Sequence, residues 1–256
     1  MYKYQYANFV PKLQRSFIFI DLPGYKMKKL VVLTGAGISA ESGLAVFRGS
    51  NGLWGKYRVD DVATIEGWYR NPELVLQFYN ERRKELLNSQ PHYGHKGLVD
   101  LEQRYDVRVI TQNVDDLHER AGSSNVLHLH GRLMWVRSEK NENLRFELPA
   151  DNCEIHIGDK ADDGGQLRPD IVWFGEAVPM LDDAIDWVEE ADIFVVIGTS
   201  LNVYPAAGLL HYVKRGVPVF LIDPNSVKDP YGKVTTYINK VASQGVKDLV
   251  ELLVKD

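Results

Sequence analysis

Two histidines one residue apart, His128 and His130, stand at the end of a short apolar run, with Gly131 behind them. Imidazole titrates near neutral pH, so a histidine at a strand end can take a proton from a reacting hydroxyl. It can equally be a hydrogen-bonded strand terminus. Residues two apart share a face of an ideal strand, so the pair is predicted to point the same way. Upstream, Gly35-Ala36-Gly37-Ile38-Ser39-Ala40 has the form G-x-G-x-x-A and runs on into Glu41-Ser42-Gly43. Such glycines let backbone N–H groups approach a pyrophosphate, and the N-terminus of a following helix favours its charge. A plain strand-to-helix turn has the same spacing. Tyr79 and Arg82 are three apart, hence on one face of a helix. Phenol and guanidinium together could hold a carboxylate by charge-assisted bonds worth roughly 1.5–3 kcal/mol. The alternative is a solvated Arg82-Arg83-Lys84 face with Tyr79 packed inward.

The elements that must position these groups are short. Leu30 to Thr34, Val107 to Thr111, Val126 to Leu129, Ile193 to Ile197 and Val217 to Ile222 read as buried parallel strands. Asn71-Pro72 offers a cap and a first-turn proline for a helix running to about Ser89. Pro205 to Arg215 and Val246 to Val254 are further helical stretches. Strands alternating with helices predict an α/β fold with a doubly wound, mostly parallel sheet, whose ligands lie beyond the carboxyl ends of the strands. Two regions break the alternation. Phe47 to Tyr69 reads as an aromatic loop, and Arg137 to Gln166 as a small polar insert. A standard dinucleotide unit closes within about 30 residues. Here the next clear strand begins near Val107, which predicts an NAD-like dinucleotide held unusually, under a loop. Residues 1–26 are expected to be an extension, with Met27 a candidate natural start. Residues 27–256 would form the catalytic domain, with small-lobe segments at about 49–105 and 137–166.

The chain has 256 residues, 45% hydrophobic, enough for one large core with a small lobe. Its net charge of -5 gives no electrostatic reason to bind nucleic acid or an anionic membrane. No apolar stretch approaches the roughly 20 residues that span a bilayer. The single cysteine, Cys153, excludes an intrachain disulfide and suits the cytoplasm.

The motifs in order are specific. Gly35-Ala-Gly-Ile-Ser-Ala-Glu-Ser-Gly43 with Phe47-Arg48, Gly52-Leu-Trp54, Thr111-Gln-Asn-Val-Asp115, His128-Leu-His-Gly131, the segment Pro169 to Glu176 and Gly198-Thr-Ser200 together resemble the sirtuin family. The resemblance covers roughly Leu30 to the C-terminus. It implies a Rossmann-like NAD domain and a reaction that consumes NAD as co-substrate. An acyl-lysine oxygen attacks the nicotinamide ribose, nicotinamide leaves, and His130 acts as base on a ribose hydroxyl. Asn113 and Asp115 would hold ribose and nicotinamide, unless they form an Asx turn. Gln112 flanks them. Gly198, Thr199 and Ser200 would bind phosphate or ribose, or merely close a turn. Gly35, Ala36, Gly37, Ile38, Ser39, Glu41, Phe47, Arg48 and Trp54 would line the cofactor. Asp223, where family members commonly place Asn, or Asn225, would take the adenosine ribose, with Ala242 and Ser243 against adenine. Val172, Trp173, Phe174 and Gly175 would meet the peptide. The Tyr79–Arg82 pair resembles that of desuccinylase-type sirtuins, implying succinyl or malonyl groups at the base of an acyl tunnel.

Two departures stand out. Most sirtuins hold a structural zinc on four cysteines; Ser138 sits about where the first would be and only Cys153 remains, so zinc is expected to be absent. Val46 stands where many members place Asp or Thr. The expected partners are acyl-lysine proteins or peptides, with no nucleic acid and no membrane, and the chain is expected to be monomeric. Competing readings are an NAD glycohydrolase or ADP-ribosyltransferase on the same scaffold, and a non-catalytic NAD-sensing module.

Overall fold

A computed structural model describes residues 26–46 and 56–254. Phe47, Arg48 and Trp54, and all but the last residue of the 1–26 extension, lie outside them. The chain opens with β1 (Lys29–Thr34), whose residues from Leu30 to Thr34 are fully buried, as expected of an apolar run covered on both faces. There follow α1 (Val59–Val62), α2 (Ile65–Arg70), α3 (Pro72–Asn88), α4 (Tyr93–Leu101), β2 (Asp106–Thr111), α5 (Leu117–Ala121) and β3 (Val126–His128). Next come β4 (Gly131–Ser138), β5 (Arg145–Glu147), β6 (Leu167–Ile171), α6 (Leu181–Glu189), β7 (Ile193–Ile197), α7 (Leu209–Tyr212), β8 (Val219–Ile222), β9 (Thr236–Ile238) and α8 (Ala242–Val254).

Among the described residues the larger sheet has the order β3-β2-β1-β7-β8-β9, every pair parallel. The doubly wound α/β expectation holds. Strand order reverses at β1, which lies between β2 and β7. The crevice at such a switch point is where sheets of this kind take ligands. Leu98, Leu101, Val246 and Leu249 from α4 and α8 cover one face, with Leu30 and Val195 beneath them. Ala184, Val188, Leu209 and Leu210 from α6 and α7 cover the other, against Val31 and Phe194. Each such large apolar side chain contributes about 1.5–3 kcal/mol on burial.

The smaller sheet, β5-β4-β6, is antiparallel. It packs with α3, whose Asn71 caps Leu74 N–H at 3.1 Å ahead of Pro72, as the sequence predicts. Arg83 of α3 is fully buried. Its Nε donates to Leu133 O and its Nη1 to Asn80 Oδ1, both at 2.8 Å. Asn80 in turn binds Ile155 O at 2.9 Å and Ile155 N–H at 3.1 Å. One side chain per turn of α3 thus ties the helix to the lobe's strand and loop.

Four local expectations are revised. The stretch to Tyr69, loop-like in sequence, holds α1 and all but the last residue of α2; Thr64 caps the second by accepting from Gly67 N–H at 2.9 Å, and Trp68 is buried. The glycine loop leads into two short 3-10 turns, Ala36–Ile38 and Ala40–Ser42, and not into an α-helix. The stretch from Pro205 divides into a 3-10 turn, Ala206–Gly208, and α7. The last helix begins at Ala242, four residues earlier than its apolar pattern suggests.

Candidate active site

At the switch point the first glycine loop and the Gly198 loop lie against each other. Gly35 N–H donates to Ile197 O at 3.0 Å and Gly37 N–H to Gly198 O at 2.8 Å. A β-carbon on Gly37 would sit 2.7 Å from Gly198 Cα, and Gly198 itself has φ +62, so only glycine allows this contact. Ala36 opens the 3-10 turn, and its N–H has no partner inside the turn. Ile38 points the other way and is part of the core, leaving only its backbone to a ligand.

Behind these loops lies a chain of hydrogen bonds. Thr34 Oγ1 is 2.8 Å from Thr111 Oγ1 and 3.1 Å from His118 Nε2. Thr111 Oγ1 accepts from Asn113 N–H at 3.0 Å. The Asn113 side-chain amide donates to Gly35 O at 3.1 Å and to Ser39 Oγ at 3.2 Å, and Ser39 donates to Asp115 Oδ2 at 2.9 Å. Burial pushes the Asp115 carboxyl up, against the Ser39 bond and the Leu117 N–H. Gln112 Nε2 reaches Thr199 Oγ1 at 3.1 Å, joining the two sides of the crevice.

The two histidines part company. β3 ends at His128, so the alternation that would place both on one face stops there. His128 is buried, with Nδ1 3.0 Å from Asn113 O and Nε2 2.7 Å from Glu119. His130 lies in the following turn, half-buried, with Nδ1 2.9 Å from Gln112 O. A carbonyl only accepts, so Nδ1 carries the proton and Nε2 keeps a lone pair. Burial lowers the His130 pKa, partly offset by the Gln112 bond. The arrangement is that of a neutral base.

On the other side of His130, Val172 N–H donates to His130 O at 3.0 Å. Phe174 N–H donates to Ala63 O at 2.9 Å, and Phe174 is 44% exposed, open to a ligand. Trp173 is instead buried inside the lobe, its ring centroid 5.7 Å from Trp68 and 6.3 Å from Tyr79. Its Nε1 donates to the Tyr79 hydroxyl at 2.9 Å. Arg82 is mostly buried, stacks over Phe78 at 5.7 Å and pairs with Glu85, while its Nε has no partner.

Other expected residues are placed as follows. The Glu41 carboxylate accepts from Ser243 N–H at 2.9 Å and from its hydroxyl at 2.6 Å, engaging the start of α8. Asp223 Oδ1 accepts from Asn225 N–H at 2.8 Å, an Asx turn at the end of β8. Ala242 is buried against Gly94. Thr34, His118 and Arg168 were not singled out from sequence, and Glu176 entered only as the end of its motif; Thr34 closes an apolar run, and nothing local marks the other two. The lobe's donors do not fit tetrahedral zinc. Ser138 Oγ bonds Asp163 at 2.8 and 2.9 Å, Cys153 lies in the apolar core, and no group of three metal donors occurs among the described residues.

Comparison with known proteins places these features. The profile of the Sir2 family matches residues 35–205. A protein of Bacteroides thetaiotaomicron described as an NAD-dependent protein deacylase is 58% identical over 231 residues, covering 89% of this chain and 99% of that protein. A Helicobacter pylori protein of the same description is 49% identical, covering 90% and 99%. A Sir2 homologue solved with NAD superimposes with a TM-score of 0.80 at 41% identity, covering 90% of this chain and 91% of that one.

Proposed function

The chain belongs to the Sir2 family, and on that footing we propose that this NAD-dependent protein deacylase removes short acidic acyl groups, succinyl and malonyl, from lysine side chains of proteins or peptides, and acetyl more weakly. Nicotinamide and O-acyl-ADP-ribose are the products. Bound NAD supplies the activated sugar carbon that accepts the acyl oxygen. The protein's part is positioning and proton transfer. The Ala36 N–H, which has no partner inside its turn, would meet the pyrophosphate beside the Gly198–Ser200 loop, while Asn113 and Asp115 would orient ribose and nicotinamide. His130 Nε2 takes the ribose proton, and its Nδ1–H stays on Gln112 O. Holding the sugar in a reactive geometry and placing a base beside it are the two means by which such a site lowers the barrier.

One observation carries the acyl assignment. Along α3 three buried donors lack an acceptor among the described residues, the Tyr79 hydroxyl proton, Arg82 Nε–H and Arg83 Nη2–H, and of these Tyr79 and Arg82 form the pair three residues apart that the acyl assignment uses. A carboxylate offers two oxygens that accept both. Glu85, its side chain 43% exposed, can give up Arg82 to the ligand at little cost. We read the lobe as working without zinc, held by the Ser138–Asp163 contact and the Arg83 bonds; metal analysis finding stoichiometric zinc overturns that part.

The test is a substrate panel. The protein is incubated with NAD and succinyl- or acetyl-lysine peptide, and peptide, nicotinamide and acylated ADP-ribose are followed. Arg82→Met should cut desuccinylation about 10- to 100-fold while sparing deacetylation, as expected for one charge-assisted contact. Equal losses on both substrates overturn the acyl assignment. NAD consumption without peptide turnover points to a glycohydrolase instead.

A further inference from the structure

Tyr79 is almost fully buried, and burial pushes its phenol pKa far up, so the hydroxyl keeps its proton. Its hydrogen-bond partner is the indole N–H of Trp173. Indole nitrogen only donates, so the Tyr79 oxygen is the acceptor of that bond and its own proton must go elsewhere. Among the described residues nothing takes it.

Trp173 is itself fixed from two sides. Arg168 stacks on the indole with its Cζ 3.5 Å from the ring centroid. The Arg168 guanidinium grips Glu176 at 2.8 and 3.0 Å, and Glu176 accepts from the backbone N–H of Trp173 at 2.8 Å. Burial raises the Glu176 carboxyl, but the bonds from Arg168 and Trp173 outweigh it and hold the group ionised. The ring therefore has one orientation, with its N–H directed at the phenol.

We propose that Trp173 is a positioning residue for acyl selectivity: by occupying the acceptor side of the Tyr79 oxygen, its indole N–H turns the phenolic proton toward the acyl group and commits that hydroxyl to donating. An anionic acyl end is favoured over a donor-bearing or apolar one. Arg168 and Glu176 serve by holding the indole. This rests on the proposed acyl pocket and adds to it a residue that touches no substrate.

The experiment is a double-mutant cycle. Trp173→Phe keeps the ring and its stacking but removes the N–H. It should lower kcat/KM for succinyl-lysine peptide about three- to tenfold, the worth of one neutral hydrogen bond, mostly through KM. Acetyl-lysine turnover should change less than about twofold. In a Tyr79→Phe background the same substitution should have no further effect on succinyl selectivity. Equal losses on both peptides, or additive losses in the double variant, overturn the proposal. Should Tyr79→Phe and Arg82→Met both fail to separate the two acyl groups, the pocket assignment itself falls; should they separate them while Trp173→Phe does not, only this inference falls. A readout that needs no Trp173 variant is NMR of the indole N–H groups of the five tryptophans. One resonance should move on Tyr79→Phe and move again on adding succinyl-lysine peptide but not acetyl-lysine peptide. No resonance behaving so would also overturn it.

Discussion

The two polar clusters that flank His130 are built from different chemistry. Behind the nucleotide loops, Thr34, Thr111, His118, Asn113 and Ser39 are neutral, with Asp115 the one carboxylate among them. Around residues 172–176, Arg168, Glu176, Arg137 and Asp170 are charges in contact. In the proposed function the first cluster backs an anionic cofactor, so what it needs is fixed geometry without added charge. The second must hold residues 172–176 where no strand continues, and ion pairs can do so across a loop. A neutral network fails by losing one bond at a time, while a partly buried ionic one fails at once when a single partner is removed.

That contrast can be broken in order of effect. Arg168→Ala leaves Glu176 without its main partner and should cost about 3 kcal/mol of stability, read from urea unfolding; Glu176 is partly open to water, which keeps the figure at the low end for buried pairs. A loss below about 1 kcal/mol would make the ionic cluster ornamental. Acid should attack the neutral cluster instead. His95 meets His118 edge-to-face at 5.0 Å and His92 likewise at 4.8 Å, and both of its ring nitrogens lack partners. Burial, then the charge of His92, pushes its pKa down to about 3. Burial likewise lowers His118. The unfolded chain takes up these protons below about pH 6.5 while the folded one does not, so stability falls as pH drops, by about 1.4 kcal/mol per pH unit per histidine. For His95 that window runs from about 6.5 down to about 3. His95→Leu should remove one such slope from the unfolding profile between about pH 6.5 and 5; an unchanged slope would place the acid lability elsewhere.

Thr111→Val sharpens the comparison from within the neutral cluster. It removes the acceptor of Asn113 N–H and the partner of Thr34. We expect kcat/KM for NAD to fall roughly tenfold, with little change in which acyl group is preferred. The smallest effect belongs to Glu85→Gln. It frees Arg82 from an internal carboxylate, and should raise desuccinylation about two- to threefold without touching deacetylation. A fall would show that Glu85 orders Arg82 instead of competing for it.

How much of this could be read from sequence follows the range of the forces involved. The parallel strands, the Asn71-Pro72 helix start and the glycine loop are set by residues within a few positions of one another. They appear in the structure within a residue or two, save that the glycine loop runs into 3-10 turns instead of a helix and the short parallel strand β9 was not read. The single-face expectation for His128 and His130 failed because strand pairing stops at Thr111–His128, a limit set by β2 and not by the local run. Trp173 reads as a cleft residue in its motif, yet its ring is buried because Tyr79, Trp68 and Arg168, far apart in sequence, converge on it. Glu41 belongs to the cofactor motif in sequence and caps α8, some two hundred residues on, in space. The Arg83–Asn80–Ile155 tie was hidden inside a string of charges that looked like a wet helix face.

Gly131 carries a mechanical consequence. Its φ is +81, and a β-carbon there would sit 2.0 Å from Asp170 O, so β4 and β6 can cross at that point only over a bare backbone. Immediately before it, His130 O holds Val172 N–H. His130 is therefore held from both sides of the joint: its backbone carbonyl by the cleft strand, and its imidazole by Gln112 O at the end of β2, the side to which the glycine loops belong. A swing of the lobe would thus pull on the backbone of His130 while Gln112 keeps hold of its ring, making that one residue the pin on which the two parts turn.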